Sequence, residues 1–436
     1  MPEILRTPRG TKDILPDEQK YWRFVSDIVS DKCESFGFGR IDLPIFEYAE
    51  VFTKGLGNTS DIITKEMYEV RRAISPAEVN ADEKVDKTLV LRPEMTAAIV
   101  RSYIEHGMKI WSQPVKLYYM GPFFRYERPQ AGRLRQFHQF GAEIIGDDDP
   151  LADASIIFLG YQILKKLGLA DKITVDINSV GDANCRPKIR KKLTDYFEKF
   201  LPEMCPDCNR RYTENPLRIL DCKEEKCRKI IAGAPQLVDM LCPACKTHFK
   251  QVLENLDYMQ IPYNLNPGLV RGLDYYTRTV FEFYEVNDTN RQSTLLGGGR
   301  YDKLIKAFGE QDTPAVGWAA GVERIIDKIK NNNVAIPEKQ LAEVCIIQIG
   351  DKARRKTLGL LNDLEKTNIK ATAILGKESL KGQLRMAAKI KAQFALIMGQ
   401  KEAINNSVIL RDMIDGSQET YKLDKLVDLL RARLGK

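Results

Sequence analysis

The chain has 436 residues, 43% of them hydrophobic and 29% charged, and a formal net charge of +7. That length exceeds one ordinary core, so two or three domains are expected, and no apolar run approaches the ~20 residues of a membrane helix. "MPEILRTPRGTKD" has no apolar signal-peptide core, so a cytoplasmic location without membrane contact is expected, with the nine cysteines reduced or metal-bound rather than paired.

Asp17 to Phe36 reads as a long helix, because Tyr21, Trp22, Val25, Ile28, Val29, Cys33 and Phe36 recur at three- and four-residue steps. "RIDLPIFEY" reads as a strand, with Pro44 placing it at an edge or interface. Lys87–Gly107 reads as strand, turn at Pro93, and helix, and Lys116–Gly146 as two strands joined by the polar "RPQAGR". Lys172–Asp182 is another strand. Cys185 to Tyr258 turns helical and cysteine-rich, as an insertion would. Strand signals return over Gly268–Val286 and around "STLLGGGRYDKL", where "GGGR" reads most simply as a tight turn. Ala315–Ile329 begins as a strand and ends as a helix. Lys330–Lys339 reads as a linker, and after it strands alternate with helices as in a small separate α/β domain. From Ile336 to Lys436 there are 19 Lys and Arg against 12 Asp and Glu, so this third carries the whole net charge and suits a polyanion such as RNA.

Chemistry concentrates in Gly121–Gly146. Side chains alternate faces along a strand, so Phe123, Arg125 and Glu127 share one face of the first strand, and Phe137, Gln139, Gly141 and Glu143 share one face of the second. Such a set makes a pocket floor: Arg125 offers a planar fork to phosphate or carboxylate, Phe137 a stacking surface, Gln139 and Glu143 acceptors for an ammonium. An internal salt-bridge network, with Arg125 and Arg128 pairing Glu127 and Glu143, would use the same residues. Arg128 falls on the opposite face, and Arg135 has no assigned partner. Two distant segments favour the pocket. Arg271 lies in "VRGLDYYTRT", and Arg324 opens a predicted helix whose N–H groups also favour an anion. Arginines from three distant segments point to one polyphosphate, and the lack of Lys-Ser/Thr after "GGGR" excludes a Walker-type site.

"GPFFRYERPQAGRLRQFHQFGAEIIG" resembles motif 2 of class II aminoacyl-tRNA synthetases, "AVGWAAGVERI" motif 3, and the helix–strand unit ending at Pro44 motif 1, the dimer element. "LVRGLDYYTRT", "RGTKD" (Arg9–Asp13) and "LRPEMT" (Leu91–Thr96) resemble the histidine–tRNA ligase family, over the whole chain. The resemblance implies an α/β (α+β) protein. Its catalytic domain, 1–330, would be an antiparallel sheet flanked by helices, interrupted by the helical insertion 185–258. A linker, 331–340, would lead to a mixed α/β anticodon-binding domain, 341–436. It implies ATP-dependent attachment of L-histidine to tRNA(His) through a histidyl-adenylate, with Mg2+ accompanying ATP, in a homodimer.

By the same resemblance Arg125 contacts the α-phosphate, Arg271 the α-phosphate from the opposite side, and Arg324 the γ-phosphate; these three are the catalytic candidates. Glu127 meets the adenine amino group and Phe137 stacks on the ring. Gln139 and Glu143 take the histidine ammonium with Thr96, while Glu94, Tyr275 and Tyr276 serve the imidazole. Gln130 and Arg133 meet the tRNA acceptor end. Met95 stands where the family often has glycine, which bears on the shape of the pocket edge.

The insertion carries "CPDC" (Cys205, Cys208) and "CPAC" (Cys242, Cys245) flanking Cys222 and Cys227. Two C-x-x-C pairs in a reduced protein indicate structural zinc. Six candidates exceed one site's four ligands, so the set is open, and incidental reduced thiols are the alternative. Two other functions compete with ligation. A silent regulatory paralogue acting in histidine biosynthesis would typically lack "RGLDYY" and the C-terminal domain, and a tRNA-sensing module would leave the ATP-facing residues without a purpose.

Overall fold

The computed structural model describes residues 4–56, 62–71, 88–127, 133–169, 172–286, 294–337, 342–376 and 379–436. The chain divides into two compact units, Met1–Ile336 and Pro337–Lys436.

The first unit opens with α1 (Gln19–Ser35), whose apolar face buries Val25, Ile28, Val29 and Cys33. The segment expected to be one strand is two, β1 (Gly39–Arg40) and β2 (Phe46–Tyr48). Pro44 lies between them and cannot donate to a ladder, so β1 joins the main sheet and β2 a separate small one. After α2 (Ala49–Leu56) and β3 (Tyr68–Val70), β4 (Leu89–Leu91) pairs with both β2 and β3. Next come α3 (Thr96–Glu105), β5 (Val115–Phe124), β6 (Gln136–Ile145), α4 (Pro150–Lys166) and β7 (Ile173–Ser179). Helices α5 (Arg186–Phe197), α6 (Pro206–Glu214), α7 (Glu225–Ile231) and α8 (Pro243–Tyr258) make up the insertion. The unit closes with β8 (Tyr263–Leu265), β9 (Thr277–Glu285), β10 (Leu296–Arg300), α9 (Leu304–Ala307), β11 (Ala315–Gly321) and α10 (Val322–Asn331).

Eight strands form the main sheet in the order β1-β5-β6-β11-β10-β9-β7-β8. Only its outermost pairs, β1 with β5 and β7 with β8, are parallel. Period-two alternation gives the sheet two chemically different faces. Phe140, Ala142 and Ile144 of β6, Phe281 and Phe283 of β9, Leu296 of β10 and Val316 and Trp318 of β11 all enter one core with residues of α1, α4, α8 and α10. The residues between them, among them Gln139, Glu143, Glu282, Gly297, Gly317 and Ala319, belong to the other face.

Two readings need correction. "GGGR" is not a turn: Gly297–Gly299 lie inside β10, paired on both sides. A Cβ on Gly298 would strike the Gly317 carbonyl and Trp318, so close packing of neighbouring strands, not a turn, demands glycine here. The stretch from Gly268 becomes strand only at Thr277, and "RGLDYY" precedes β9 as a loop.

The second unit contains β12 (Val344–Gln348), α11 (Asp351–Lys366), β13 (Ala371–Ala373), α12 (Leu380–Lys389), β14 (Phe394–Met398), α13 (Gln400–Ile404), β15 (Ser407–Asp412), β16 (Gln418–Lys422) and α14 (Leu426–Leu434). Its sheet runs β13-β12-β14-β15-β16. Sequence reading missed β16, an edge strand of "QETYK" that is almost wholly exposed and so shows no apolar alternation. It also missed the single-turn-and-a-half α13.

Candidate active site

Strands β5 and β6 place Gly121 opposite Gln139 and Phe123 opposite Phe137. The pocket face predicted by alternation is therefore one face of the sheet. It is deep because its central residues lack side chains. A Cβ on Gly141 would hit the Tyr119 hydroxyl, one on Gly297 would lie 2.5 Å from Arg271 Nη1, and one on Gly299 would meet Tyr276 Cδ1 at 2.9 Å. Gly121 makes room for buried Arg92, which donates to the Leu43, Pro44 and Pro122 carbonyls and so braces the scaffold.

A cavity of ≈ 370 Å³ forms the inner end of the cleft, lined in part by Glu94, Met95, Thr96, Gln139, Tyr275 and Tyr276. A second of ≈ 400 Å³ forms the outer end, with Phe137, Arg324 and Lys12. Arg125, Glu127, Arg133, Gln139, Arg271 and Glu282 line both, so the two are one cleft. Each part has the size of a small-molecule pocket.

The three arginines from distant segments converge on this cleft. Arg125 donates through Nε to the Pro93 carbonyl at 2.9 Å and lies 5.3 Å above the Phe137 ring. Its Nη1 is 4.0 Å from Glu127, whose other oxygen accepts from Arg133 at 3.1 Å. Arg271 pairs with Glu282 and sits 5.6 Å from the Tyr276 ring, and its buried Nε has no hydrogen-bond partner among the described residues. Arg324, in the first turn of α10, donates to the Thr294 carbonyl at 3.0 Å. Burial, then the neighbouring charge of Arg133, lowers its pKa from the ordinary arginine value. Neither Arg125 nor Arg324 is spanned by a bidentate carboxylate among the described residues, so their forks keep N–H donors for an anion.

The inner end is built for a polar guest. Glu94 accepts from the Thr96 and Ala97 amides at 2.7 and 2.9 Å and so caps α3. Burial raises its pKa. Glu143 is 1% exposed, beneath Gly317, and accepts from the Thr96 hydroxyl at 3.0 Å and the Tyr301 hydroxyl at 2.6 Å. Burial pushes its carboxyl up to about 8. Of the alternative salt-bridge network, the structure has the Arg125–Glu127 contact, whereas Glu143 is held by hydroxyls. The Tyr275 and Tyr276 rings are 4.6 Å apart, and burial raises both phenols. Met95 is buried against α3 and Tyr119 while still lining the cavity.

Arg135, left unassigned by the sequence, stacks 4.2 Å over Tyr126, and its amide donates to the Gly10 carbonyl at 2.7 Å. That contact brings "RGTKD" to the cleft, where Lys12 lines the outer end. Gln130 and Arg128 lie outside the described residues. Sequence reading missed Glu282, Tyr301 and Arg218. A lone carboxylate inside apolar "VFEFY" was the available signal for the first. Arg218 comes from the insertion and had none.

Among the described residues there are two clusters of potential metal-ligating side chains: Cys205, Cys208, Cys222 and Cys227 within the insertion, and Asp182, Cys185, Cys242 and Cys245 where it begins. The six candidate cysteines thus separate into two groups, and Asp182 and Cys185, absent from the sequence-based set, complete the second. All nine cysteines are free thiols. No helix among the described residues is long and apolar enough to cross a membrane.

The family model described as histidyl-tRNA synthetase matches residues 10–185 and 222–325, and an anticodon binding domain model matches 343–433. A histidine–tRNA ligase of Desulforamulus reducens is 43% identical over 98% of this chain and 99% of its own length. One of Desulforudis audaxviator is 44% identical over 98% and 99%. The crystal structure of apo Staphylococcus aureus histidyl-tRNA synthetase covers 98% of this chain and 99% of its own, with a TM-score of 0.79 at 34% identity.

Proposed function

The chain belongs to the histidyl-tRNA synthetase family, and we propose that the arginine-lined cleft is where it joins histidine to ATP before charging tRNA(His). It is a ligase that forms an aminoacyl-tRNA ester. The observation that carries the site assignment is the convergence of Arg125, Arg271 and Arg324 on one cleft whose inner end is lined by Glu94, Thr96, Gln139 and two tyrosines.

In this reading adenine stacks on Phe137 with its amino group at Glu127, and Arg324 takes the γ-phosphate. Arg125 and Arg271 flank the α-phosphate. Thr96 and Gln139 receive the histidine ammonium, with Glu143 acting from beneath through the Thr96 hydroxyl. Glu94, Tyr275 and Tyr276 read the imidazole at a pocket edge shaped by Met95. The histidine carboxylate attacks the α-phosphorus in line, and pyrophosphate leaves. Negative charge spreads over phosphoryl oxygens, so fixed cations do more than a general base. Arginines hold that charge at any working pH. The terminal ribose hydroxyl of tRNA, brought by Arg133 and Gln130, then attacks the adenylate carbonyl.

Magnesium binds through phosphate oxygens, water and one or two carboxylates, and Glu323 and Asp327 line the cleft with suitable oxygens. Bound there with ATP it would neutralise triphosphate charge. Residues 1–330 would form the catalytic domain around insertion 185–258, with 331–340 as linker and 341–436 as anticodon binder, the last supported by its charge excess. Exposed Ile45, Phe46 and Tyr48, next to the motif 1 segment, support a homodimer, and the free thiols support a cytoplasmic location.

Histidine-dependent exchange of pyrophosphate into ATP tests the reading. Exchange with histidine and none with other amino acids is expected. Folded protein without exchange would refute it and favour a silent paralogue.

A further inference from the structure

We propose that the insertion holds two structural zinc ions, one at Cys205, Cys208, Cys222 and Cys227, the other at Asp182, Cys185, Cys242 and Cys245. In each group the ligand atoms all lie within 4.8 Å of one another. Tetrahedral zinc with bonds of about 2.3 Å places its sulfurs about 3.8 Å apart, and Cys205 Sγ is 3.8 Å from Cys222 Sγ. A disulfide needs about 2.05 Å. The Cys205 group is fully buried.

Local backbone structure supports both groups. "CPDC" and "CPAC" fold into the same turn: the first cysteine is a helix N-cap, at φ −73°, ψ 160° in one and φ −69°, ψ 162° in the other, and proline follows at the first helical position. In each, the second cysteine's amide points at the first sulfur, at 3.4 Å for Cys208 to Cys205 and 3.5 Å for Cys245 to Cys242. The groups are also bonded internally, since the Cys205 amide donates to Cys227 Sγ at 3.3 Å and the Cys242 amide to Cys185 Sγ at 3.1 Å. Amide–sulfur hydrogen bonds of this kind stabilise thiolates, the form a metal binds. Four thiolates in one group, and three thiolates with one carboxylate in the other, select zinc in a structural role, not magnesium or calcium.

The placement gives the second ion a mechanical task. The insertion leaves the sheet after β7 and returns through α8, and the Asp182 group ties the end of β7 to the first turn of α8. Arg186, next to Cys185, donates to the Tyr276 carbonyl at 2.6 Å. Cys185, Cys245, Leu217, Val270 and Tyr276 share one buried cluster, and Asn215 donates to Asp274 at 2.7 Å. The ion thus braces the loop that carries Arg271 and Tyr276. Residues 186–221, which supply Cys205 and Cys208, fall between the stretches that the family model matches, whereas the other six ligands lie within them.

The metal assignment is independent of the proposed substrate roles; only a KM effect rests on them. Full-length protein, purified without chelator under reducing conditions, should contain two zinc ions per chain by elemental analysis. Cys208→Ser and Cys245→Ser should each leave one. Cobalt substituted into these variants should give tetrahedral spectra, with more thiolate charge-transfer intensity in Cys245→Ser, which keeps the four-sulfur site. Fewer than two zinc ions in the wild-type chain, iron in their place, or a disulfide among these seven cysteines in alkylated wild-type protein would overturn the proposal, and none of these readouts needs a variant to fold. Cys245→Ser should raise KM for histidine at least about fivefold. Equal KM values with zinc lost would overturn the bracing role.

Discussion

Gly297→Ala should separate folding from catalysis. The new Cβ would stand 2.5 Å from Arg271 Nη1 and 3.0 Å from its Cζ, against an ordinary contact distance of 3.4 Å or more. The guanidinium must therefore retreat by about 1 Å. It can do so because it is the end of a flexible side chain, whereas a Cβ on Gly299 meets the Thr279 backbone carbonyl at 2.5 Å. Gly297 has no positive φ, so alanine costs nothing in backbone strain. A displacement of about 1 Å at a group that stabilises transferring charge costs on the order of 100-fold, or about 2.7 kcal/mol of transition-state stabilisation. Histidine-dependent pyrophosphate exchange should fall by about that factor, approaching the 10²–10³-fold loss of removing a charge-stabilising donor outright in Arg271→Ala. The melting temperature should stay within about 2 °C of wild type. Exchange within threefold of wild type would refute both the α-phosphate role of Arg271 and the reason given for the glycine.

Glu143→Gln should flatten the stability profile between about pH 4.5 and 8. The folded carboxyl titrates near 8, against a reference value of 4.5, so the folded state binds the extra proton between those values. The wild-type contribution is therefore complete below about 4.5 and lost as pH rises through about 8. Denaturant unfolding from pH 5 to 8 should show wild type losing up to about 1.4 kcal/mol per pH unit more than the variant; parallel profiles would refute the buried protonated carboxyl. Asp153→Ala should destabilise the fold by about 3–5 kcal/mol in urea unfolding, because it leaves fully buried Arg300 with only Asp302 as a carboxylate partner. Burial opposes ionisation of Asp153, but Arg300 and then His248 hold its carboxyl at about 2, so the wild-type advantage is present above about 4 and disappears as pH falls toward 2. A loss under 1 kcal/mol would refute it.

The sequence made part of this site legible because a hairpin has a period of two. Once Gln139 and Glu143 are placed on one face, the Phe137 ring and the first arginine follow without tertiary information. Convergence of Arg271 and Arg324 was readable only as an inference from neighbouring glycines. The glycines themselves were misread, because Gly297–Gly299 answer to Arg271, Trp318 and Tyr276 across the sheet and not to a local turn. The cysteine groups show the same limit. C-x-x-C spacing names two partners of each set, but Asp182 and Cys185 join Cys242 and Cys245 only because the first turn of α8 packs beside the end of β7. Alternation set the face of Glu143 but not its depth under Gly317.

In the proposed reading Arg271 occupies a place that charge alone would give to a metal ion. Glu282 holds Arg271 through one oxygen, and the other accepts from Tyr284 and from Thr294 at 3.1 Å. The carboxylate is thus fixed by three donors, and it fixes the guanidinium in turn. This pairing removes part of the arginine's net charge but none of its local polarity, since N–H groups away from Glu282 remain directed at the cleft. A bound ion would have to be recruited with each turnover. A guanidinium braced by Glu282, Gly297 and the Tyr276 ring is oriented before substrate arrives, and preorganised donors need no reorganisation at the moment phosphoryl charge develops.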